Sequence, residues 1–357
     1  MPAVQEPPHK TGVPAKIVTV GRATHGGLIG QWFLHQHDRK PPFDISNSTA
    51  LILSNFTSTL HRKTPLVKAL YSIGGGGVEL DPFASMATKA SSRGVFIRAT
   101  IEVARRYGFD GVDLDWEFPQ NTKEMGDFCF LLKEWRRPIE MEAKITKRPP
   151  LLLIAAVYYS ADFLIFGGRC SYPTAPIKNN LDWVNVMCYD YHGSWDTSET
   201  GVHAALFDPN TNLSSVYGLK SWLSAGVPGN KLVMGLPLYG KTWKLKDPNV
   251  HGVGAAGVGV GPGDQGVLLY SQVVEFNKRN NATVAYDMDT TSVYSYSRTT
   301  WLGYDDPLST TVNIGFAQAL GLHRYFFWAL SYDYEWTVSV QGIFFFLCVF
   351  LYSFNAI

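Results

Sequence analysis

The sequence lacks an excess of charge of either sign: 31 Lys and Arg residues and 30 Asp and Glu residues in a chain of 357 leave a formal net charge of +1. A nearly neutral chain gives no argument for a nucleic acid or an anionic membrane surface as partner. The longest mainly apolar run, residues 343–354, is shorter than the roughly 18 to 20 residues that span a bilayer. We therefore expect neither a nucleic-acid partner nor a membrane anchor.

Cysteine is scarce, and its spacing excludes the common metal motifs. The four cysteines show neither a close C-x-x-C pair nor a histidine cluster beside them; they are Cys129, Cys170, Cys188 and Cys348. We therefore expect no metal site, no cofactor held by one, and no disulfide framework. Three histidines at positions 25, 35 and 37 also lack partners at metal-binding spacing, so we expect them at the surface.

The first ten residues contain no apolar run of the kind found in a signal peptide. Four Asn-x-Ser/Thr sequons, at Asn47, Asn55, Asn212 and Asn281, are compatible with secretion. Such short motifs also arise by chance, so these residues leave localisation open.

The most informative segment that is present is Asp-Gly-Val-Asp-Leu-Asp-Trp-Glu-Phe-Pro, residues 110–119. Asp113, Asp115 and Glu117 occupy every second position, so on a β-strand they share one face and the apolar residues between them take the other. Neighbouring carboxylates would be about 6.5 to 7 Å apart. Like charges so close in a partly desolvated site should raise at least one pKa. A carboxylic acid kept protonated near neutral pH can act as a general acid.

Two other interpretations of this acidic segment are weaker. A calcium loop of the EF-hand type needs Gly at its sixth position and Glu at its twelfth, and neither is found here. A solvated acidic strand would not carry Val112, Leu114 and Trp116 opposite its charges. Catalysis is therefore the favoured interpretation.

The pattern Asp-x-x-Asp-x-Asp-x-Glu closely resembles the signature of the family 18 glycoside hydrolases, the chitinases. The flanking Tyr107-Gly108-Phe109 and Trp116-Glu117-Phe118-Pro119 resemble the plant class V chitinases most. The resemblance implies an α/β fold, a (β/α)8 TIM barrel with this segment as its fourth strand, and Glu117 as the general acid. Its implied ligand is chitin or a chito-oligosaccharide.

Further segments resemble other motifs of the same family. Ser72-Ile73-Gly74-Gly75 resembles its third-strand motif, and the phosphate-loop alternative fails because no Gly-Lys-Ser/Thr follows. Met187-Cys188-Tyr189-Asp190 resembles the sixth strand, Gly235 to Gly240 the seventh, and Trp328 the eighth. The resemblance implies that Tyr189 is catalytic and that the substrate contacts are Gly74, Gly75, Met187, Asp190, Tyr239 and Trp328.

The mechanism that the resemblance implies is substrate-assisted. Glu117 protonates the glycosidic oxygen, and the 2-acetamido oxygen of the substrate, rather than an enzyme carboxylate, attacks the anomeric carbon to give an oxazolinium ion. Asp115 orients the acetamide N–H, Asp113 shares a proton with Asp115, and Tyr189 holds the attacking oxygen. Glu117 then activates water, so the anomeric configuration is retained.

Strand and helix signals alternate along the middle of the chain, which is typical of a parallel α/β fold. An apolar stripe predicts a helix over 92–107, Asn121 with Glu124 predicts the start of another that runs to about 145, and 151–159 reads as a buried strand. The only candidate strands before residue 56 are 16–20 and 50–53, and the family's closing helix is not recognisable. The first two strands and the last helix are therefore expected to be atypical or missing.

The predicted domains are an atypical segment 1–55, a barrel of 56–243 and 307–336, an α+β insertion 244–306 between strands seven and eight, and an apolar tail 337–357. Short β segments are expected at 283–286 and 300–304. Two functions remain: an endo-acting chitinase, or a catalytically impaired chitin-oligosaccharide-binding protein. The resemblance also implies a monomer, an extracellular or vacuolar location and a role in plant defence.

Overall fold

A computed structural model of the chain describes residues 17–24, 27–33, 45, 47–76, 81–165 and 168–340. Its strands are β1 Ile17–Thr24, β2 Gly27–Phe33, β3 Lys68–Gly74, β4 Gly111–Asp115, β5 Leu152–Tyr158, β6 Asp162–Ile165, β7 Gly168–Ser171, β8 Trp183–Met187, β9 Leu232–Pro237, β10 Tyr239–Leu245, β11 Gly257–Val260, β12 Val267–Leu269, β13 Thr283–Asp287, β14 Ser292–Ser297, β15 Thr300–Tyr304 and β16 Arg324–Trp328. Its α-helices are α1 Asn47–Lys63, α2 Asp81–Ala87, α3 Ala90–Arg106, α4 Thr122–Thr146, α5 Thr174–Asn180, α6 Ser215–Ser224, α7 Tyr270–Asn280 and α8 Pro307–Ala319.

The chain divides into two compact units. Within the described ranges, the first contains residues 17–186 and 221–233, and the second contains residues 187–220 and 234–340. Strand β9 begins in the first unit and ends in the second.

The first unit contains a sheet in the order β1-β2-β3-β4-β5-β8. β1 and β2 form an antiparallel hairpin, and β2 then pairs in parallel with β3, β3 with β4, and β4 with β5. β3 and β4 are almost wholly buried, although β4 carries the two acidic residues Asp113 and Asp115. Helices α2, α3 and α4 pack on one another, and Phe96 of α3 meets Trp135 of α4 edge-on at 5.1 Å.

The second unit contains an antiparallel sheet in the order β11-β10-β15-β14-β13, with β12 paired to the other part of β10. Trp243 of β10 and Trp301 of β15 are fully buried and meet edge-on at 5.5 Å, and Tyr294 of β14 stacks on Trp301. The same unit contains the end of β9, which neighbours β16 in strand order. α8 begins after Asp306, whose carboxylate accepts the Leu308 and Ser309 N–H groups.

The α/β class is confirmed, and so are α3, α4, β5 and the short strands β13 and β15. The capping prediction is also confirmed, because the Asn121 side chain accepts the Glu124 N–H at 3.0 Å. Cys129, Cys170 and Cys188 are free cysteines, while Cys348 lies outside the described residues.

The prediction of a strand at residues 50–53 is wrong, because this segment lies inside α1. Leu53 and Thr57, one helical turn apart, form the buried face of that helix, and four apolar residues in a row cannot distinguish a strand from one turn of helix. The strand expected at 16–20 is present as β1. β2 was not predicted, so the first strands are present in an atypical form, as an antiparallel hairpin. The closing segment 341–357 and the three histidines at 25, 35 and 37 lie outside the described residues.

Candidate active site

The acidic strand lies in the middle of the first unit's sheet. Asp113 and Asp115 of β4 are 2% and 3% exposed, and Val112 and Leu114 are buried on the opposite face. The expectation that Glu117 lies on the same strand is wrong, because β4 ends at Asp115. The pairing with β3 ends there and the pairing with β5 ends one residue earlier, so no ladder holds Glu117. Its side chain is half-buried just beyond the carboxyl end of the strand.

Ser72 supplies a hydrogen bond to the first carboxylate. β3 and β4 pair in a register that places Ser72 opposite Asp113, and the Ser72 hydroxyl donates to Asp113 Oδ2 at 2.8 Å. Ser72 is fully buried, so this bond is shielded from water. A hydroxyl aimed at a buried carboxylate stabilises its ionised form.

The glycine segment after β3 lies against the same strand. The Gly75 N–H donates to the Asp115 carbonyl at 2.7 Å. Gly74 has φ +120, and a Cβ at this position would lie 1.9 Å from the Asp115 carbonyl oxygen, so only glycine fits. A Cβ on Gly76 would lie 3.4 Å from Glu117 Oε2. The structure thus brings Gly74, Gly75 and the three acidic residues together.

Tyr172 is a neighbour of these carboxylates that the sequence did not reveal. It is buried, and burial raises the pKa of its phenol well above the usual range, to which the negative charges of Glu117 and Asp115 add. The Tyr158 N–H donates to its oxygen at 3.2 Å. The phenol therefore stays protonated, and it is a neutral donor in the electrostatic field of the acidic residues. A lone Tyr between Ser171 and Pro173 gives no sequence signal for this role.

The second unit brings Tyr189, Asp190 and Tyr239 together. β8 ends at Met187, so Tyr189 and Asp190 lie beyond the strand and not on it as expected. The Tyr189 ring meets the rings of Tyr239 and Phe326 edge-on, each at 6.2 Å. Aromatic neighbours on two sides fix the direction of the Tyr189 hydroxyl.

Lys241 and His203 surround Asp190 and were both missed by the sequence analysis. Lys241 Nζ lies 2.8 Å from Asp190 Oδ1, and the buried His203 lies 3.8 Å from the same oxygen. Desolvation alone would raise the pKa of Asp190, but the Lys241 ammonium and His203 hold it well below its usual range. Burial lowers the pKa of His203. Asp190 is therefore an ionised carboxylate beside a cation and a neutral imidazole.

Lys241 also lies over two aromatic rings, 5.2 Å from the centre of Trp195 and 5.5 Å from that of Tyr239. Its position two residues after Tyr239 is the one signal that could have found it, because alternate residues of a strand share a face. Trp328 is half-buried, and its carbonyl accepts the Leu238 N–H at 2.7 Å. Met187 is also half-buried.

The described residues lack both a cluster suited to a metal ion and a helix suited to span a membrane. They contain no group of three or more His, Cys, Asp or Glu side chains arranged to hold a metal ion. Nor, in the same part of the chain, does any helix have the length and apolar character needed to cross a membrane.

Buried carboxylates at the carboxyl end of a parallel strand, followed by a half-buried glutamate, are typical of barrel enzymes that perform acid–base chemistry. The model of the family described as Glycosyl hydrolases family 18 matches residues 37–333. The chain therefore belongs to family 18 of the glycosyl hydrolases, whose members hydrolyse glycosidic bonds.

Individual relatives agree with this membership. The chain is 50% identical over 311 residues to the class V chitinase CHIT5b of Medicago truncatula, which covers 87% of this chain and 82% of the relative. It is 54% identical over 298 residues to Nod factor hydrolase protein 1 of the same plant, and this match covers 83% of this chain and 77% of the relative. A class V chitinase from Nicotiana tobaccum was solved as a Glu-to-Gln mutant in complex with NAG4. It matches this chain with a TM-score of 0.81 at 37% identity, and the match covers 87% of this chain and 88% of that one. The expected TIM-barrel fold class and the chitinase type of hydrolase are thereby confirmed.

Proposed function

We propose that the protein cleaves β-1,4-linked N-acetylglucosamine chains inside the polymer by a substrate-assisted, retaining mechanism. The observation that carries this proposal is the arrangement around β4, with two buried carboxylates, Asp113 and Asp115, and the half-buried Glu117 beside Gly76. The tobacco relative was solved with NAG4, which supports a chito-oligosaccharide as ligand. The mechanism uses no metal ion or cofactor.

Each carboxylate has a separate part in this reaction. Glu117 is the most exposed of the three and lies beyond the end of β4, so it suits proton transfer to the glycosidic oxygen. Asp115 receives the acetamide N–H and balances the positive charge of the oxazolinium ion. Asp113, fixed by Ser72, shares a proton with Asp115 as a coupled pair. Tyr172 adds a neutral phenol within the field of these acids.

The remaining contacts of the proposal are supported by the resemblance to family 18, and most involve residues of the second unit. Tyr189 donates to the acetamido oxygen that attacks the anomeric carbon, and the rings of Tyr239 and Phe326 fix its direction. Asp190 is held ionised by Lys241 and accepts a sugar hydroxyl. The remaining proposed substrate contacts are Gly74, Gly75, Met187, Tyr239 and Trp328.

The test is hydrolysis of chitotetraose by Glu117→Gln, with Glu140→Gln, an exposed position on α4, as the matched control. Loss of the proton donor should lower kcat by roughly 10²- to 10⁴-fold or more while binding of the tetrasaccharide is retained. The control should match the parent protein. NMR should show the β anomer as first product of the parent; full activity of Glu117→Gln, or a first product in the α form, would contradict the proposal.

The same assay addresses the other function. A parent protein that binds the tetrasaccharide without cleaving it would be a catalytically impaired binding protein. Because one relative is named as a Nod factor hydrolase, a Nod factor belongs in the substrate panel beside chitotetraose. The resemblance to plant class V chitinases further supports a monomer with an extracellular or vacuolar location and a role in plant defence, which fractionation of the producing tissue and size-exclusion chromatography would test.

A further inference from the structure

The second unit contains a cavity of about 500 Å³ whose lining includes none of the side chains proposed above for catalysis or substrate contact. It is formed by the segment from Phe207 to Lys220 together with Asp289. Its volume falls within the roughly 300 to 1,000 Å³ that is common for ligand sites.

Two aromatic rings of this lining are unusually open to solvent. Phe207 is 43% exposed and Tyr217 is 40% exposed. The Phe207 ring meets Phe316 of α8 edge-on at 6.0 Å, so one side of it is anchored against the fold. Anchored, half-exposed rings offer flat apolar surface to a ligand that has an apolar face of its own.

The polar groups of the lining limit what that ligand can be. Asp208 accepts the Asn210 and Thr211 N–H groups, which fixes the turn that forms one wall. The side chains of Asp289 and Lys220 are both exposed and make no hydrogen bond or ion pair with another side chain of the described residues, so their charged ends remain available to a ligand. Two carboxylates and one ammonium give the lining a formal charge of −1, which disfavours an anion.

We propose that this cavity is a second carbohydrate site, which binds N-acetylglucosamine units of a chitin chain other than those at the cleavage point. A pyranose ring is neutral, has an apolar C–H face for Phe207 and Tyr217, and carries hydroxyls that Asp289 and Lys220 can bind. The proposal rests on chitin as the substrate. A second site on the same polymer raises the local concentration of cleavable sugar, an advantage that a short soluble oligosaccharide cannot use.

The experiment compares insoluble and soluble substrates, first with the variant Tyr217→Ala. Tyr217 lies on α6, where alanine is a good helix former, so the fold should be preserved. Phe130→Ala, which removes a 52% exposed ring from α4, is the matched control. The protein should come from a host without N-glycosylation, because Asn212 also lines the cavity and lies in a sequon.

Adsorption isotherms on insoluble chitin should show affinity about five- to tenfold weaker for Tyr217→Ala, about the effect of losing one well-packed aromatic contact. Its kcat/KM on chitotetraose should stay within about twofold of the parent, as should both measurements for Phe130→Ala. A Phe207→Ala/Tyr217→Ala double variant with an unchanged circular dichroism spectrum should adsorb more weakly still.

Unchanged adsorption of the double variant would overturn the second site, and so would a parallel loss of adsorption and soluble hydrolysis. A parent protein that adsorbs to chitin through Tyr217 but cleaves nothing would contradict the proposed hydrolysis while leaving the second site supported. The two proposals can therefore fail separately.

Discussion

The hydrogen bond from Ser72 to Asp113 allows a sharp test of how the acidic strand is stabilised. Ser72→Ala removes the hydroxyl that donates to Asp113 Oδ2 at 2.8 Å, in a place where both residues are at most 2% exposed. Alanine nearly conserves the volume, so no large cavity forms and the change reports mainly the lost hydrogen bond.

A hydrogen bond to a charged group contributes roughly 1.5 to 3 kcal/mol, against about 0.5 to 1.5 kcal/mol for a neutral pair. At an unfolding entropy of about 2.1 cal/mol/K per residue, loss of the Ser72 bond should lower Tm by roughly 2 to 4 °C. The matched control is Ser292→Ala, because the equally buried Ser292 hydroxyl pairs with the neutral Thr290 hydroxyl. That change should lower Tm by only about 1 °C.

The assay combines thermal unfolding with a pH–rate profile on chitotetraose. Without the Ser72 donor the ionised form of the coupled acids is less favoured, so the acid limb of kcat/KM should move to higher pH. The control variant Ser292→Ala should leave the pH of the acid limb of kcat/KM unchanged. If Ser72→Ala destabilises no more than Ser292→Ala and does not move the acid limb, Asp113 is not a charged acceptor and the proposed proton sharing with Asp115 fails.

Two other titrating groups give predictions. In Lys241→Met the ammonium 2.8 Å away no longer stabilises the Asp190 carboxylate, so the pKa of Asp190 should rise. KM for chitotetraose should then increase more at pH 5 than at pH 8, and an equal increase at both would contradict the ion pair. Burial raises the pKa of Asp305 to about 7, so this group holds its proton in the folded state while the unfolded chain loses it near pH 4, and stability should fall as pH rises from about 4 to 7. Asp305→Asn should remove roughly 3 kcal/mol of the fall measured by urea unfolding between pH 5 and pH 8, and an unchanged pH dependence would show that Asp305 is not its source.

Elements with a strong local pattern could be predicted from the sequence. The apolar stripe of α3, the Asn121 cap of α4 and the continuous apolar run of β5 each specify one kind of structure over many residues. The acidic residues were found because their period of two is itself a strand signal. The end of β4 at Asp115 could not be predicted, because it depends on where the hydrogen-bonded pairings with β3 and β5 end.

The missed neighbours of the site are those that only the fold brings near it. Lys241 lies 51 positions from Asp190 in the chain, and Tyr172 lies 55 from Glu117, so no local pattern connects them. His203 is a single imidazole among small residues, and its proximity to Asp190 follows from burial alone. Such groups tune the charge of residues that the motifs identify, but they leave no motif of their own.

The atypical start of the chain bears directly on whether the acidic strand can work. β4 lies between β3 and β5, and β3 pairs in parallel with β2. The irregular β1–β2 hairpin at the edge of the sheet therefore begins two strands away from the carboxylates. The register that places Ser72 opposite Asp113 and Gly74 opposite Asp115 is set within the β3–β4 pair. Because a one-residue slip there would turn Asp113 and Asp115 to the other face, the buried apolar residues of both strands strongly oppose it. An altered first strand can therefore change the edge of this sheet without displacing the carboxylates.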